Sequence, residues 1–380
     1  MKGETIMLAL AGEQPMPNLI PVLQHRPRIV RFIVSGRTES HAQNTITALN
    51  LDRRTKRVDA ETEPGIDPYD IGATEQACLD VVKRFGAKNV VFNITGGTKT
   101  MVIGAYQAAL RHRLPMIYVV TEKGKILHLH PDGSHDEEEI TARVSVPVYF
   151  AAHGITASVK RPWPEKYQDI ARYLAQHLSG ATRVLDAARQ CISNSLVPTL
   201  IMNPTGEERA VVQTLADQEL MNKTPAAEGL LIQVQGGAKA CDFLCGKWLE
   251  VHVYAACAAR EDLFDFVAGD VRIRKPAGAE LVLNQLDGAV TRKARLTICS
   301  CKTERHELED KGENKGIIYE LDSISRREQA GIYCGKVLVT QQVDLPAAFR
   351  ARAKNSKLRI IDGSELANVA EIIAKVTVKP

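Results

Sequence analysis

The chain has 380 residues, 44% of them hydrophobic and 25% charged, with a net charge of +4 at pH 7. That length exceeds one ordinary core and implies two or three domains, and the composition excludes a disordered or fibrous chain. The mild positive balance permits a nucleic-acid or nucleotide surface without requiring one, and no apolar stretch approaches the roughly 18 residues of a membrane span.

The first residues, MKGETIMLALAG, carry no signal-peptide pattern. Eight scattered cysteines make no disulfide scaffold, so a reducing, cytoplasmic setting is expected. Cys241 with Cys245, in an apolar helical run, and Cys299 with Cys301, along a strand, read as buried reduced thiols rather than a zinc site.

In chain order, TIMLALAG and RIVRFIVSG read as buried strands, and SHAQNTITALNL as a helix opened by a Ser or Thr cap. A third strand is expected near RVDAETE. DPYDIGATEQACLDVVKRFG has the proline and acidic residues of a helix start and a glycine at its end. NVVFNI is a further strand, followed by the helix MVIGAYQAALRHR. PMIYVVTEKGKILHLHPDG then gives a strand and a hairpin turning at Lys123-Gly124. Short apolar runs alternating with helices imply an α/β, doubly wound parallel sheet over residues 1–150.

RPWPEKYQDIARYLAQHLSGATRVLDAARQC and GEERAVVQTLADQELM are read as a helical connector, residues 151–227, with a winged-helix-like arrangement as one reading. Residues 228–380 open with a long apolar helix, ACDFLCGKWLEVHVYAACAA. Two strands around a turn follow in LVLNQLDGAVTRKARLTICSCKTE, then a helix, the strand KVLVTQ and the closing RIIDGSELANVAEIIAKV, which together make a small α/β domain.

The stretch NITGGTK, Asn93 to Lys99, stands where a strand ends and a helix begins. Ligands of doubly wound sheets bind beyond the carboxyl ends of the strands, and helix N-termini offer N–H groups to anions. Gly96 and Gly97 let backbone approach a ligand, Thr95 and Thr98 bring hydroxyls, and Lys99 a charge. The pattern is neither a Walker loop nor the dinucleotide G-x-G-x-x-G, and alone it is also compatible with a tight connection. Two more polar loops join it at the same sheet edge, GEQPMPNL with Gln14 and Asn18, and SGRTESHAQN with Ser35, Arg37 and Thr38. Amides and hydroxyls with few positive charges suit an oligonucleotide better than a triphosphate.

GEQPMPNL, DPYD and above all NITGGTKTM resemble the CRISPR-associated Rossmann-fold (CARF) sensor domain. The whole chain is similar to the two-domain ancillary nucleases of type III CRISPR systems, which carry a restriction-endonuclease-like domain behind the sensor. The resemblance implies a receptor for a cyclic oligoadenylate, foremost the tetra-adenylate ring. Thr95, Gly96, Gly97, Thr98 and Lys99 would then contact its phosphates and riboses, and Gln14, Asn18, Ser35 and Thr38 would close the pocket. A ring with an internal two-fold axis suits a symmetric homodimer.

The same resemblance implies a PD-(D/E)-x-K nuclease site with Mn2+ or Mg2+ held by Glu250 and Asp287 and with Lys302 as the catalytic lysine. The pattern departs from the family at Ser300 and Gln285, where carboxylates are expected, and serine is a poor magnesium ligand. Glu304 or Glu320 would replace the missing ligand with Ser300 holding a water, or only particular metals would serve, or the domain would grip nucleic acid without cutting. Arg292, Lys293, Arg295, Lys302 and Arg305 would follow a phosphate backbone if they share a face, and the basic run at 350–359 adds to them, although such runs are usually solvated surface. The favoured function is a ring-activated, metal-dependent nuclease cutting DNA or RNA with little sequence preference in antiviral defence. The alternatives are a sensor with a degenerate nuclease domain that only binds nucleic acid or a partner, a transcription regulator, and an enzyme that degrades its own ring.

Overall fold

The apolar runs at 5–12 and 28–36 become interior strands of a seven-stranded sheet. A computed structural model describes residues 5–277, 280–303, 315–325, 330–331 and 333–378. Its first part comprises β1 (Ile6–Leu10), α1 (Met16–His25), β2 (Ile29–Ile33), α2 (Glu39–Leu51), β3 (Asp59–Thr62), α3 (Ile71–Phe85), β4 (Val90–Asn93), α4 (Lys99–Arg111), β5 (Met116–Val120), β6 (Lys125–Leu129) and β7 (His135–Glu139). The strand order is β3-β2-β1-β4-β5-β6-β7. Strands β1 to β5 run parallel, and β6 and β7 are added antiparallel at one edge.

Every residue of β1 and β2 is buried, as a parallel sheet covered on both faces requires. The order reverses between β1 and β4, which places the loop after β1 and the NITGGTK loop side by side. The helix α1 is an addition to the sequence reading, in which this stretch is a polar loop. Pro17 sits in its first turn, where the missing N–H costs nothing, and Pro21 lies inside it.

Next come α5 (Val146–Ala152), β8 (Thr156–Val159), α6 (Glu165–Gln176), α7 (Leu178–Ser193), β9 (Thr199–Met202), α8 (Gly206–Asp217), β10 (Met221–Ala226) and β11 (Gly229–Val234). The connector, expected to be helical, therefore also carries strands. β9, β10 and β11 form a three-stranded antiparallel sheet in the order β10-β11-β9, and its hairpin turns at residues 227–228.

The last part holds α9 (Gly237–Asp242), a π-helical turn over Phe243–Lys247, α10 (Trp248–Ala258), β12 (Phe266–Ala277), β13 (Glu280–Arg292), β14 (Arg295–Lys302), α11 (Lys315–Ile324) and β15 (Gly335–Thr340). A helix over Ala347–Asn355, β16 (Leu358–Ile361) and a helix over Val369–Val378 close the chain. The six-stranded sheet is ordered β16-β15-β14-β13-β12-β8, so β8, from the expected connector, pairs with β12. None of the described helices is long and apolar enough to cross a membrane.

The first and last sheets meet directly. One core runs from Met7 and Phe32 through Tyr149 and Phe150 of α5 to Val271, Leu286 and Ile298. At its rim the buried Arg295 donates to the carbonyls of Thr121 and Glu122 in the β5–β6 turn, at 2.5 and 2.7 Å, and to Val378 O at the far end of the chain. Lys293 meets Glu139 of β7 at 3.4 Å.

Gly96 has a steric reason to be glycine, because a Cβ there would lie 2.1 Å from Leu10 O. Gly96→Ala is expected to destabilise the folded chain by about 1–3 kcal/mol. The check is a lower urea midpoint at an unchanged m-value.

Candidate functional site

At the switch point between β1 and β4 lies a cavity of about 330 Å³. Gln14, Ser35, Thr38, Thr95, Gly96, Gly97 and Thr98 all line it, so the three polar loops do converge. Asn18 and Lys99 are not among its lining residues. Asn18 is buried beneath it, donating to Leu10 O at 3.0 Å and accepting from Asn93 Nδ2 at 2.9 Å. Lys99 starts α4 with its side chain exposed.

The hydroxyls serve the protein before any ligand. Thr95 Oγ1 donates to Asn93 Oδ1 at 2.6 Å and accepts from Val119 N at 2.8 Å. Thr98 Oγ1 donates to Pro68 O at 2.6 Å while capping α4 by accepting from Met101 N. Ser35 and Thr38 bond each other at 3.2 Å. Gly97 has φ of +79°, turning the loop into α4. The Gly96 and Gly97 amides have no protein acceptor among the described residues. Those two N–H groups, beside a helix N-terminus, are what the loop offers to a phosphate.

Among the lining residues outside the set of ligand contacts drawn from the sequence, Tyr69 and Arg37 have side chains suited to a nucleotide. Tyr69 is 72% exposed at the cavity wall and presents an aromatic face suited to stacking a base. Arg37 stands at the rim in a 2.7 Å pair with Glu13. The DPYD stretch carried the signal for Tyr69, masked by its reading as a helix start.

The second site lies where α10 crosses the last sheet. Glu250 of α10 and Asp287 of β13 line a cavity of about 230 Å³ together with Asp270 of β12, Lys160, Arg161 and Lys239. Lys247 Nζ donates to both Glu250 oxygens at 2.7 and 2.9 Å. Asp287 Oδ2 accepts from Cys301 N at 2.8 Å and from Ser300 Oγ at 3.4 Å, so Ser300 spends its hydroxyl orienting Asp287. Neither Ser300 nor Lys302 is among the residues lining this cavity; Lys302 ends β14, half-buried. Gln285 and Glu320 are exposed, and Glu304 and Arg305 lie outside the described residues.

Asp270 is the third carboxylate of this cavity, and sequence reasoning passed over it. The register pairs Gly269 with Gly288 and Val271 with Leu286, which sets Asp270 opposite Asp287 on the neighbouring strand. Its φ of +48° marks an unusual backbone for a non-glycine residue. Lys160 pairs with Asp270 Oδ2, whereas Oδ1 is buried with no partner among the described residues. A hard divalent cation fits this donor set: carboxylate oxygens on one wall, one of them buried and unpaired.

Burial, and after it the neighbouring Asp287 charge, pushes the Glu250 carboxyl up to about 7, against the pull of Lys247. Unfolded, the group titrates near its ordinary value of 4.5. Between those values the folded chain binds the extra proton, so this contribution to stability is full at low pH and is lost as pH rises through about 7. The metal-free protein is expected to melt at progressively lower temperature from about pH 5 to about pH 8. Glu250→Gln, or a saturating divalent cation, should flatten that decline in a series of thermal melts.

Two family models match the chain: one described as the Card1 CARF domain, over residues 6–149, and one as the Card1-like endonuclease domain, over residues 238–379. No curated protein matches its sequence. Among solved structures, protein VC1899 from Vibrio cholerae is similar at a TM-score of 0.80 and 19% identity, with 98% of each chain covered. Can2 from Sulfobacillus thermosulfidooxidans, solved with cyclic tetra-adenylate, gives 0.73 and 22%, covering 99% of this chain and 98% of that one. A type III CRISPR defence DNA nuclease activated by cyclic oligoadenylate gives 0.55 and 18%, over 91% of this chain and 47% of its own. The α/β architecture, with its Rossmann-like first sheet, is thus shared along nearly the whole length. The chain is a Card1-like protein, a CARF domain joined to a Card1-like endonuclease domain.

Proposed function

We propose that this protein is a type III CRISPR defence nuclease switched on by a cyclic oligoadenylate, with the tetra-adenylate ring as the favoured activator. The observation that carries the reading is the pairing of two cavities in one chain. One is a polar pocket at the switch point of the first sheet, and the other is a carboxylate-lined pocket in the endonuclease domain. The ring bound to Can2 and the activator named for the DNA nuclease support this choice of ligand.

In the first cavity the Gly96 and Gly97 amides would meet ring phosphates, with Gln14, Ser35 and Thr38 nearby and Tyr69 stacking on a base. Arg37 would exchange Glu13 for a phosphate. Asn18 and Lys99 act from outside the lining, Asn18 by holding the loops in place and Lys99 by its charge. A two-fold ring would lie on the axis of a homodimer. Tyr106, and Ile103 one turn before it on α4, are exposed for such a contact.

In the second cavity Glu250, Asp287 and Asp270 would hold Mn2+ or Mg2+. Bound there, the cation supplies positive charge to the phosphate undergoing attack. The chain's own groups do the rest. Ser300 and the Cys301 amide orient Asp287, Lys247 orients Glu250, and Lys160, Arg161 and Lys239 draw in the nucleic-acid backbone. Lys302, two residues beyond Ser300, would stabilise developing charge. The signal between the cavities would travel through the direct contact at Arg295 and the β5–β6 turn.

The test is incubation of plasmid DNA, single-stranded DNA and RNA with the protein, Mn2+ or Mg2+, and the ring. Cutting should require both metal and ring and should fall by at least about 100-fold in Asp287→Ala and Lys302→Ala. Asp270→Asn should lower the rate and weaken Mn2+ binding measured by electron paramagnetic resonance. Ring binding without cutting under any of these conditions would instead assign the domain to gripping nucleic acid.

A further inference from the structure

A second cluster of metal-binding groups lies in the sensor domain, away from both cavities. His25 ends α1, His128 lies on β6 and Glu138 on β7. The register pairs His128 with Asp136 and Ile126 with Glu138, so His128 and Glu138 are diagonal neighbours on one face of the hairpin. Glu138 Oε2 stands 2.6 Å from His128 Nε2 and 3.4 Å from His25 Nε2, and the three ligand atoms lie within 4.8 Å of one another. The imidazoles meet edge to face with centroids 6.0 Å apart.

A hydrogen bond between His128 and Glu138 accounts for only part of this arrangement. His25 Nε2 is buried and, although turned toward the carboxylate, makes no hydrogen bond among the described residues. Burial holds the His25 imidazole below its ordinary pKa, in the neutral form that ligates metals. Glu138 is in turn oriented from outside. Gln24 donates to its Oε1 at 2.6 Å and is itself fixed by accepting from the amides of Thr141 and Ala142. An outer partner of this kind is the usual support of a metal-binding carboxylate.

We propose that His25, His128 and Glu138 form a site for a borderline divalent cation, with zinc the best match. Bonds of about 2.0–2.2 Å in tetrahedral geometry set ligand atoms about 3.3–3.5 Å apart. The His25–Glu138 separation of 3.4 Å already has that value, and His128 needs to withdraw slightly. Two imidazoles and one carboxylate select zinc, cobalt or nickel over magnesium, the reverse of the all-oxygen set at Glu250 and Asp287. Three protein ligands leave a fourth position for water. The cation staples the end of α1, the helix that begins beside the ring pocket, to the β6–β7 hairpin. The next residue of β7, Glu139, meets Lys293 of the endonuclease domain.

The test uses full-length protein stripped with chelator and kept in excess Mg2+, then titrated with Zn2+ and, separately, Co2+. One zinc per chain is expected, with a higher melting temperature and the visible bands of low-coordinate cobalt. His25→Gln and His128→Gln should abolish the cobalt bands while ring binding persists. Gln24→Ala, which removes no ligand, should weaken zinc binding by about 10–100-fold. Cobalt bands and zinc stoichiometry unchanged across these variants would overturn the proposal. So would wild-type protein that takes up no zinc.

Discussion

The side-chain amide of Asn93 holds together the place where everything else in the sensor domain meets. It is fully buried at the end of β4. Its Nδ2 donates to Pro17 O and Asn18 Oδ1, each at 2.9 Å, and its Oδ1 accepts from the amide and hydroxyl of Thr95. Pro17 O is open to this bond because Pro21, four residues on, has no N–H to offer it. A proline inside α1 thus supplies the acceptor that joins the loop after β1 to the loop after β4. Leaving any of these buried groups unpaired costs about 1–3 kcal/mol. The lattice fixes the shape of the cavity without any contribution from a ligand.

The endonuclease domain is organised around the opposite condition, a repulsion left in place. Glu250 and Asp287 face each other in a half-buried cavity, and Lys247 offsets only part of their mutual charge. The serine in the strand after Asp287 does not relieve it; Ser300 donates to Asp287 and so keeps that carboxylate aimed. Asp270 adds a further acidic group from the adjoining strand. In the proposed cation site the third carboxylate stands on β12, as Asp270, rather than on β14. The sensor reaches this domain directly through Arg295, whose guanidinium bonds only carbonyls among its described contacts and stacks on Tyr333 at 5.2 Å. Movement of the β5–β6 turn would therefore be felt at the β13–β14 turn, and Asp287 lies on β13.

Much of this was legible in the sequence, for physical reasons that differ by element. β1 is an unbroken apolar run, β2 is interrupted only by Arg31 and β4 ends in Asn93, and the glycine-threonine turn before α4 gained its meaning from the two polar loops beside it. The two-strand turn carrying Asp287 and Lys302 was equally clear. α1 was hidden because MPNLIP reads as a proline-rich loop, although proline is at home in a first helical turn. β7 was hidden because HDEEE is charged throughout, as an exposed edge strand allows. β8 and β12 pair across more than a hundred residues of sequence, and no local pattern announces such a partner. Asp270 went unseen with them, since its position is defined by register against Asp287. Asn18 differs again, because its polarity reads as a ligand contact in the sequence. Only its burial reveals that the amide serves the fold beneath the pocket instead.

The central claim is that occupancy of the switch-point cavity governs cutting at the carboxylate cavity. The most direct measurement is the initial rate of nucleic-acid cleavage as cyclic tetra-adenylate is titrated into wild-type protein and into Tyr69→Ala, an exposed change outside the buried lattice. The account predicts that the variant needs about tenfold or more ring for half-maximal rate, through lost stacking, and reaches the same plateau. Cleavage at full rate without the ring, or superimposable titrations, would contradict it.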